Sequence, residues 1–491
     1  MPENIKIKSD ELTEAARGQA VVEARHNLDG ECRVLSASAT AVTTPSEIFA
    51  GEARYVGKVK FDCLISVDGK IECISDIAEY SDKITSSNID GDSVVTLMPE
   101  IVNVEATVDG GALKAVAVVD VCALAIAGGE HDCIAEPDEG IYAEKTSIDY
   151  CTVSARQTET VYLTDSAAIT DVAEILCAAS HAVISSAEAS DGAVKVSGVV
   201  HTKVIVRNTD DTVSECKIVT PFVKDISALG VRDGDTAFAF AAITDSSATQ
   251  DDGENNIELA VTMAISVVAM ECRTAEIVAD VFCADYEIEA ATADIKCRTV
   301  EPMITVTDTV DGQIPIADDR LAADNVLCVS GAFCTLSDAK IEDKRICVEG
   351  LVGGDIVYYN AEKNATDCLS FRLPFSMPLA AHTDADSVEA TAEVTDVNVR
   401  IRRESVFDIK ADVAFTLRLS SAHDHRAVES VKLGDAIERP DATVIVHIAK
   451  DGETLWQAAK ALCCSPESVT RQNEATAPYS GGERLVNFCN K

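Results

Sequence analysis

The amino-acid sequence predicts a mainly β protein: three β-rich, sandwich-like repeats in tandem, followed by a small C-terminal βααβ domain. Long runs of alternating apolar and polar residues, rich in Val, Ile and Thr, recur along the chain. Such alternation is typical of strands with one buried and one solvent-facing side. The same succession of landmark residues occurs three times, which favours tandem repeats. From Ala442 onward the pattern changes to strand, helix, helix, strand.

The landmarks of each repeat begin with a leucine that precedes a glycine by 22, 22 and 23 residues. An alternating run follows each glycine, then an acidic residue joined to cysteine, then an aromatic residue six or seven positions beyond that cysteine. A long alternating segment closes each repeat, at 112–126, 256–270 and 406–420. In chain order the landmarks are Leu35, Gly57, Cys73 and Tyr80; Leu176, Gly198, Cys216 and Phe222; and Leu327, Gly350, Cys368 and Phe375.

Turn residues such as Asp68-Gly69 and Asp109-Gly110-Gly111 separate the runs, as hairpins require. The segments between the repeats match one another and indicate structured connectors, whereas 421–441 mixes charges without a clear strand period and is interpreted as a linker. The predicted organisation is an N-terminal segment 1–31, repeat 1 at 32–127, a connector 128–172, repeat 2 at 173–271, a connector 272–323, repeat 3 at 324–420, the linker 421–441 and the βααβ domain 442–489.

Composition narrows the classes of partner. The chain has 491 residues, 41 Lys plus Arg against 83 Asp plus Glu, and a formal charge of −42. Nucleic acid is therefore not expected as a partner, because phosphate binding depends on cationic side chains. The acidic surface either steers a basic partner or keeps a multi-domain scaffold soluble, and the sequence leaves both readings open.

The first 20 residues contain no apolar run of signal-peptide length, and the longest apolar stretch, Leu259 to Met270, has 12 residues. We therefore expect neither export by a standard route nor membrane insertion. The 18 cysteines are accordingly expected to be reduced thiols of a cytoplasmic protein. The landmark cysteines favour a structural role in the core, since free cysteine is among the most buried residue types.

Sequence motifs for chemistry are lacking, so no catalytic residue, cofactor or metal is expected. There is no Cys-x-x-Cys, Gly-rich phosphate loop or Gly-x-Ser-x-Gly motif. His423 and His425 are the closest histidine pair. They could share one face of a strand and bind a metal weakly, but a solvated linker is favoured.

The C-terminal segment from 442 to 491 carries five basic and five acidic residues, so residues 1–441 hold the whole net charge. A strand at 444–448 precedes a turn at 451–454 that can cap a helix beginning near Leu455. Ser465-Pro466 predicts the start of a second helix that ends near Asn473. Leu485 to Phe488 follow a Gly-Gly turn and predict a closing strand.

This segment resembles a LysM domain, on the residues V-H-I-x-K-D-G-E-T-L-W-x-A-A-K, S-P-E-S-V, Gln472-Asn473 and Gly482-x-x-Leu485. The LysM family typically binds polymers that contain N-acetylglucosamine. Glu453 stands where that family usually has aspartate. The resemblance places a ligand groove between the loop after the first strand and the loop before the second. The implied binding residues are Asp451, Gly452, Glu453, Thr454, Trp456, Asn473, Tyr479 and Gly482.

Two readings of Trp456, the only tryptophan, remain open. It packs against the closing strand, or it is exposed and anchors a partner, since tryptophan dominates many interface hot spots.

A LysM domain behind three acidic β repeats resembles the SipL-like family of clostridial sporulation proteins, built from SPOCS domains and a C-terminal LysM. The resemblance implies a non-enzymatic spore-coat morphogenetic scaffold in the mother-cell cytosol, at the forespore surface. Its LysM domain would bind a coat-basement ATPase, stage IV sporulation protein A. Two alternatives remain: a protein whose LysM domain binds peptidoglycan glycan, and a structural shell protein that self-assembles through exposed edge strands.

Overall fold

A computed structural model of the chain describes residues 2–28, 32–89, 95–250, 256–315, 323–402, 406–437 and 444–488. The first group of strands, unit 1, is β1 (Glu3–Asn27), β2 (Cys32–Phe49), β3 (Glu52–Val67), β4 (Lys70–Thr85), β5 (Thr96–Asp109) and β6 (Ala112–Glu136). Unit 2 is β7 (Ile141–Ala168), β8 (Val172–Ser190), β9 (Ala193–Asn208), β10 (Val213–Ser227), β11 (Thr236–Gln250) and β12 (Asn256–Cys283). Unit 3 is β13 (Tyr286–Val300), β14 (Ile304–Pro315), β15 (Ala323–Glu342), β16 (Arg345–Asn360), β17 (Ala365–His382), β18 (Ser387–Arg402) and β19 (Val406–Ala436). The C-terminal domain is β20 (Val444–Ile448), α1 (Leu455–Leu462), α2 (Pro466–Gln472) and β21 (Arg484–Phe488).

The prediction of a mainly β chain is confirmed. Its physical basis is visible in β6, where Leu113, Ala115, Ala117 and Val119 are at most 3% exposed and the residues between them are partly exposed. The period of two places every second side chain in the core.

Each unit has two layers, which in unit 2 are joined into one six-stranded sheet by the pair Thr236–Glu188. One layer is an antiparallel meander: β2–β3–β4, β8–β9–β10 or β15–β16–β17. The second layer is built on the long last strand of the unit, β6, β12 or β19. On one side this strand pairs with β1, β7 or β14, and on its opposite side it pairs with β5, β11 or β18. The core lies between the layers; in unit 1 it joins Phe61 and Ile65 of β3 to Val119 and Val121 of β6.

The opening strands lie where the sequence suggested an N-terminal segment and connectors. β7 pairs along its whole length with β12, and β13 and β14 pair with β19. The linker prediction over 421–441 is wrong for residues 421–436, which continue β19 and pair with β13. Their period was obscured because the buried positions are only Ala427 and Val428, among half-buried and exposed neighbours. Residues 438–441 lie outside the described ranges.

The landmark glycines and aromatic residues are cross-strand partners. Gly57 faces Tyr80, Gly198 faces Phe222, and Gly350 faces Phe375. A Cβ atom on Gly198 would lie 2.5 Å from the Val183 carbonyl oxygen and 2.6 Å from Cζ of Phe222, and the other two sites are equally crowded. The aromatic ring therefore covers a backbone position where no side chain fits.

The three units meet at a shared junction that equivalent residues build. Ile7 faces His131 across its strand pair, Ile148 faces Ala275, and Ile295 faces His425. The three isoleucines are at most 1% exposed and lie in one apolar cluster with Cys133, Ile277, Cys297 and Ala427. Burial of each isoleucine contributes about 1.5–3 kcal/mol, so the units are held together by an apolar core of their own.

The cysteines depart in one place from the expected reduced thiols. Cys151 and Cys272 face each other on β7 and β12 and form a disulfide. Of the landmark cysteines, Cys73 and Cys368 are partly buried against a second apolar cluster, to which the three units contribute Leu35, Ile205 and Cys328, and Cys216 is partly buried against the unit 2 core.

Candidate functional site

The C-terminal domain folds as its sequence predicts. The Thr454 side chain accepts a hydrogen bond from the Gln457 backbone N–H, and the Gln457 side chain accepts one from the Thr454 N–H. This capping box satisfies two of the otherwise unpaired donors at the start of α1. Ser465 caps α2 with Pro466 at its first position. Thr454, one of the predicted binding residues, is therefore used to begin a helix.

The two loops that were expected to border a groove are hydrogen-bonded to each other. The Gly452 N–H donates to the Tyr479 carbonyl at 2.9 Å, and the Tyr479 N–H donates to the Glu453 carbonyl at 2.9 Å. The Gly482 N–H donates to Ala449, and the Gly481 N–H donates to the Asp451 carboxylate at 3.3 Å. The structure thus brings Asp451, Gly452, Glu453, Tyr479 and Gly482 together, but their backbones bind one another.

Glu453 lies inside this pair of loops and is 7% exposed. Its carboxylate accepts from the Lys450 backbone N–H at 2.6 Å and lies 2.8 Å from Nε2 of His447. Burial by itself would raise the pKa of Glu453, but these hydrogen bonds outweigh burial and hold the pKa below its ordinary value. The side chain at the one departure from the LysM pattern therefore ties the first strand to the first loop.

Replacing Glu453 by glutamine is expected to lower the thermal midpoint of the C-terminal domain at pH 7 by several degrees. The depressed pKa means that the ionised carboxylate stabilises the fold above about pH 4.5, and that this contribution is lost as the pH falls further. Melting curves followed by fluorescence of Trp456, the single tryptophan, check this at pH 7 and pH 3. Exposed Glu474→Gln is the matched control; a midpoint difference that is equal at both pH values would contradict the prediction.

Asn473 holds the end of α2 to the closing strand. Its amide nitrogen donates to the carbonyls of Val469 and Val486, and its side-chain oxygen accepts from the Val486 N–H at 2.7 Å. All three hydrogen bonds are internal to the domain, so this predicted binding residue has a structural role in the fold.

Trp456 is buried, in a cluster that contains both Leu485 of the closing strand and Phe282 of unit 2. It is 9% exposed, and its indole Nε1–H donates to Asp280 of β12 at 2.8 Å. Its ring lies edge-on to Phe282 with the centroids 4.9 Å apart. Lys460 adds an ion pair to Asp280 at 2.8 Å. Trp456 therefore fastens the C-terminal domain to unit 2.

The Asp280 carboxylate accepts the hydrogen bonds from Trp456 and from Lys460. Burial raises its pKa, but the Lys460 and Trp456 hydrogen bonds outweigh this and leave the pKa below the ordinary value. The carboxylate is therefore ionised at neutral pH and accepts hydrogen bonds from both donors.

An apolar face on the two-stranded β20–β21 sheet was not singled out from the sequence. Val444, Val446 and Ile448 alternate along β20 and are 39%, 56% and 63% exposed, and Phe488 of β21 is 52% exposed. Val444 pairs with Phe488 and Val446 with Val486, so these side chains share one side of the sheet. The sequence signal is an apolar residue at every second position of β20, a pattern that by itself indicates a strand and not an exposed face.

Histidine and cysteine side chains offer no metal centre within the described part of the chain, where no group of three or more potential ligands converges. His423 and His425 lie on β19 with their ring centroids 6.4 Å apart. Across the ranges that the structure covers, neither helix is long and apolar enough to cross a membrane.

Comparison of the chain with protein-family models, with curated proteins and with solved structures finds no match.

Proposed function

We propose that the chain is a non-enzymatic scaffold of the spore coat, with three SPOCS units and a LysM domain that docks onto the coat-basement ATPase, stage IV sporulation protein A. Its place would be the mother-cell cytosol at the forespore surface. The assignment of the domains and of the partner rests on the sequence resemblance. The observation that carries a protein-docking function is the exposed apolar face of β20 and β21.

The chemistry of this face suits a protein partner. Four of its side chains, Val444, Val446, Ile448 and Phe488, expose between 39% and 63% of their surface. Contiguous apolar surface of this kind marks interaction sites on soluble proteins. The segment from 442 to 491 is neutral whereas the rest of the chain carries the net charge of −42, so a partner reaches this face with less electrostatic repulsion than elsewhere.

The loops favour a protein over a glycan as the ligand. Their backbone groups, which would hydrogen-bond a sugar, are paired with one another, as in the two hydrogen bonds between Glu453, Gly452 and Tyr479. The domain's tryptophan, the natural platform for stacking a sugar ring, lies against Phe282.

Charging the apolar face is expected to abolish partner binding. In the double variant Val446→Lys/Ile448→Lys, two cations would have to be desolvated in the interface, so we expect at least a 100-fold weaker affinity. Biolayer interferometry of the full chain against the purified ATPase measures this. The control is Ala461→Lys/Thr470→Lys, which places the same two charges on exposed positions of α1 and α2.

A soluble chitin oligomer is the second analyte, and Trp456 fluorescence verifies that each variant keeps its fold. Binding of the oligomer without binding of the ATPase would overturn the proposal and assign the domain to glycan recognition. Equal affinity of the face variant and the Ala461→Lys/Thr470→Lys control for the ATPase would exclude the apolar face as the docking site.

A further inference from the structure

The three units enclose a chamber of about 1100 Å³ beside a second apolar cluster that all three share, which includes Ile205. Equivalent strands of the units supply its wall: β2, β8 and β15 from the meanders, and β5, β11 and β18 from the other layer. Small residues keep it open, with alanine or glycine at positions 37, 39, 179, 182, 331 and 332 of the three meander strands. The volume is slightly above about 300–1,000 Å³, the usual range of small-molecule sites.

A β-bulge recurs at one register position in all three units. The bulges follow Ile101 in β5, Ile243 in β11 and Val394 in β18, and these residues lie opposite Val119, Met263 and Val413 of the closing strands. Bulges are frequent beside binding sites because they redirect side chains. The residues just before the bulges line the chamber: Glu100, Ala242 and Glu393.

The charges in the chamber are unbalanced. Nine acidic and five basic side chains line it. Four of the bases already have carboxylate partners: Arg17 with Glu14, Lys203 with Glu215, Lys217 with Asp396, and Arg418 with Glu389. The fifth, Arg372, lies over the Phe333 ring and donates to Asn103. The bases are thus engaged before any ligand binds, which disfavours an anionic ligand.

Glu100 and Glu393 have no such partner. Among the described residues neither forms an ion pair with lysine or arginine. Nδ1 of His181 lies 3.6 Å from the Glu393 carboxylate, but burial lowers the pKa of this imidazole, so it is neutral at pH 8. The Glu393 side chain is 52% exposed, but the solvent it meets is that of the chamber, with protein around it. Burial therefore raises the pKa of both carboxyl groups to about 7. A cation placed between them would offset this cost.

We propose that the chamber binds a linear aliphatic polyamine, with its ammonium groups on Glu100 and Glu393 and its methylene chain along the alanine-rich wall. Two carboxylates from equivalent positions of units 1 and 3 match two separated cationic groups. A metal ion fits less well, because no group of three or more potential ligands converges in the described part of the chain. The site is independent of the docking face on the C-terminal domain.

Isothermal titration of the full chain with spermidine, at pH 8 and physiological salt, tests the proposal. We expect one site per chain, and an affinity at least 10-fold weaker in Glu100→Gln/Glu393→Gln. The control Glu79→Gln/Glu342→Gln removes the same charge from side chains that are 77% and 58% exposed, and its affinity should match that of the parent. This control is needed because a chain of charge −42 attracts any polycation.

A gain-of-function variant keeps the test decisive if the glutamine variant folds poorly. Ala242→Glu supplies the third equivalent carboxylate, and we expect it to bind spermidine at least fivefold more tightly. Equal affinities in the chamber variant and the surface control would overturn the proposal and assign the binding to surface charge. An unchanged affinity in Ala242→Glu would also contradict the chamber as the site.

Discussion

Replacing Gly198 by alanine is expected to destabilise unit 2 by about 2–4 kcal/mol, the range of overpacked and strained core positions. The added Cβ atom would lie 2.5 Å from the Val183 carbonyl oxygen and 2.6 Å from Cζ of Phe222. The oxygen belongs to the backbone of β8, which pairs with β9 over its length, so relief requires the ladder to shift. Hydrogen-exchange mass spectrometry should show lost protection in β8–β10, with β2–β4 unchanged.

Gly481→Ala is the matched control for this prediction. Its new Cβ atom would be 3.4 Å from the nearest atom, in ordinary van der Waals contact. Equal loss of protection in the two variants, each within its own domain, would contradict the view that the cross-strand ring and the facing carbonyl exclude a side chain at Gly198.

Replacing Trp456 by alanine is expected to cost about 3–5 kcal/mol of local stability, as for other buried aromatic residues. The change leaves a cavity beside Phe282 and removes the indole hydrogen bond to Asp280. Because these residues are on β12, deprotection in hydrogen exchange should appear both in the C-terminal domain and at the end of unit 2. Near-ultraviolet circular dichroism gives an independent measure of the lost aromatic packing.

Trp456→Phe separates packing from hydrogen bonding. It keeps an aromatic ring against Phe282 and loses the Nε1–H donor, so a loss of about 1–3 kcal/mol is expected, the cost of leaving Asp280 short of one donor. Deprotection confined to residues 444–488 in the alanine variant would show that Trp456 does not fasten the domain to unit 2.

The sequence allowed much of this architecture to be predicted because local patterns determine strands and caps. The alternating closing segments are strands, and the caps at Thr454 and Ser465 begin the two helices. The spacing of the landmark glycines and aromatic residues was also informative. It recurs because a ring on one strand must cover a glycine on the next, and this pairing sets the distance between them along the hairpin.

These local patterns do not predict which distant strands pair with each other. Residues 421–436 have few buried positions and read as a linker, yet they form strand through pairing with β13. The partner of Trp456 was equally inaccessible, because Asp280 and Phe282 lie more than 170 positions earlier in the chain. Nothing in the local sequence of β5 or β18 indicates that Glu100 and Glu393 line one chamber.

The sequence by itself determined the strand-rich composition, the landmarks of the three units and the helices of the last domain, because periodicity and capping act over a few residues. Only the tertiary structure decided which opening strand pairs with which closing strand, where the three units meet, and which side chains they enclose. Those features depend on contacts between residues more than 100 positions apart, such as Ile7, Ile148 and Ile295. A local sequence pattern does not indicate which distant residue packs against a given apolar side chain.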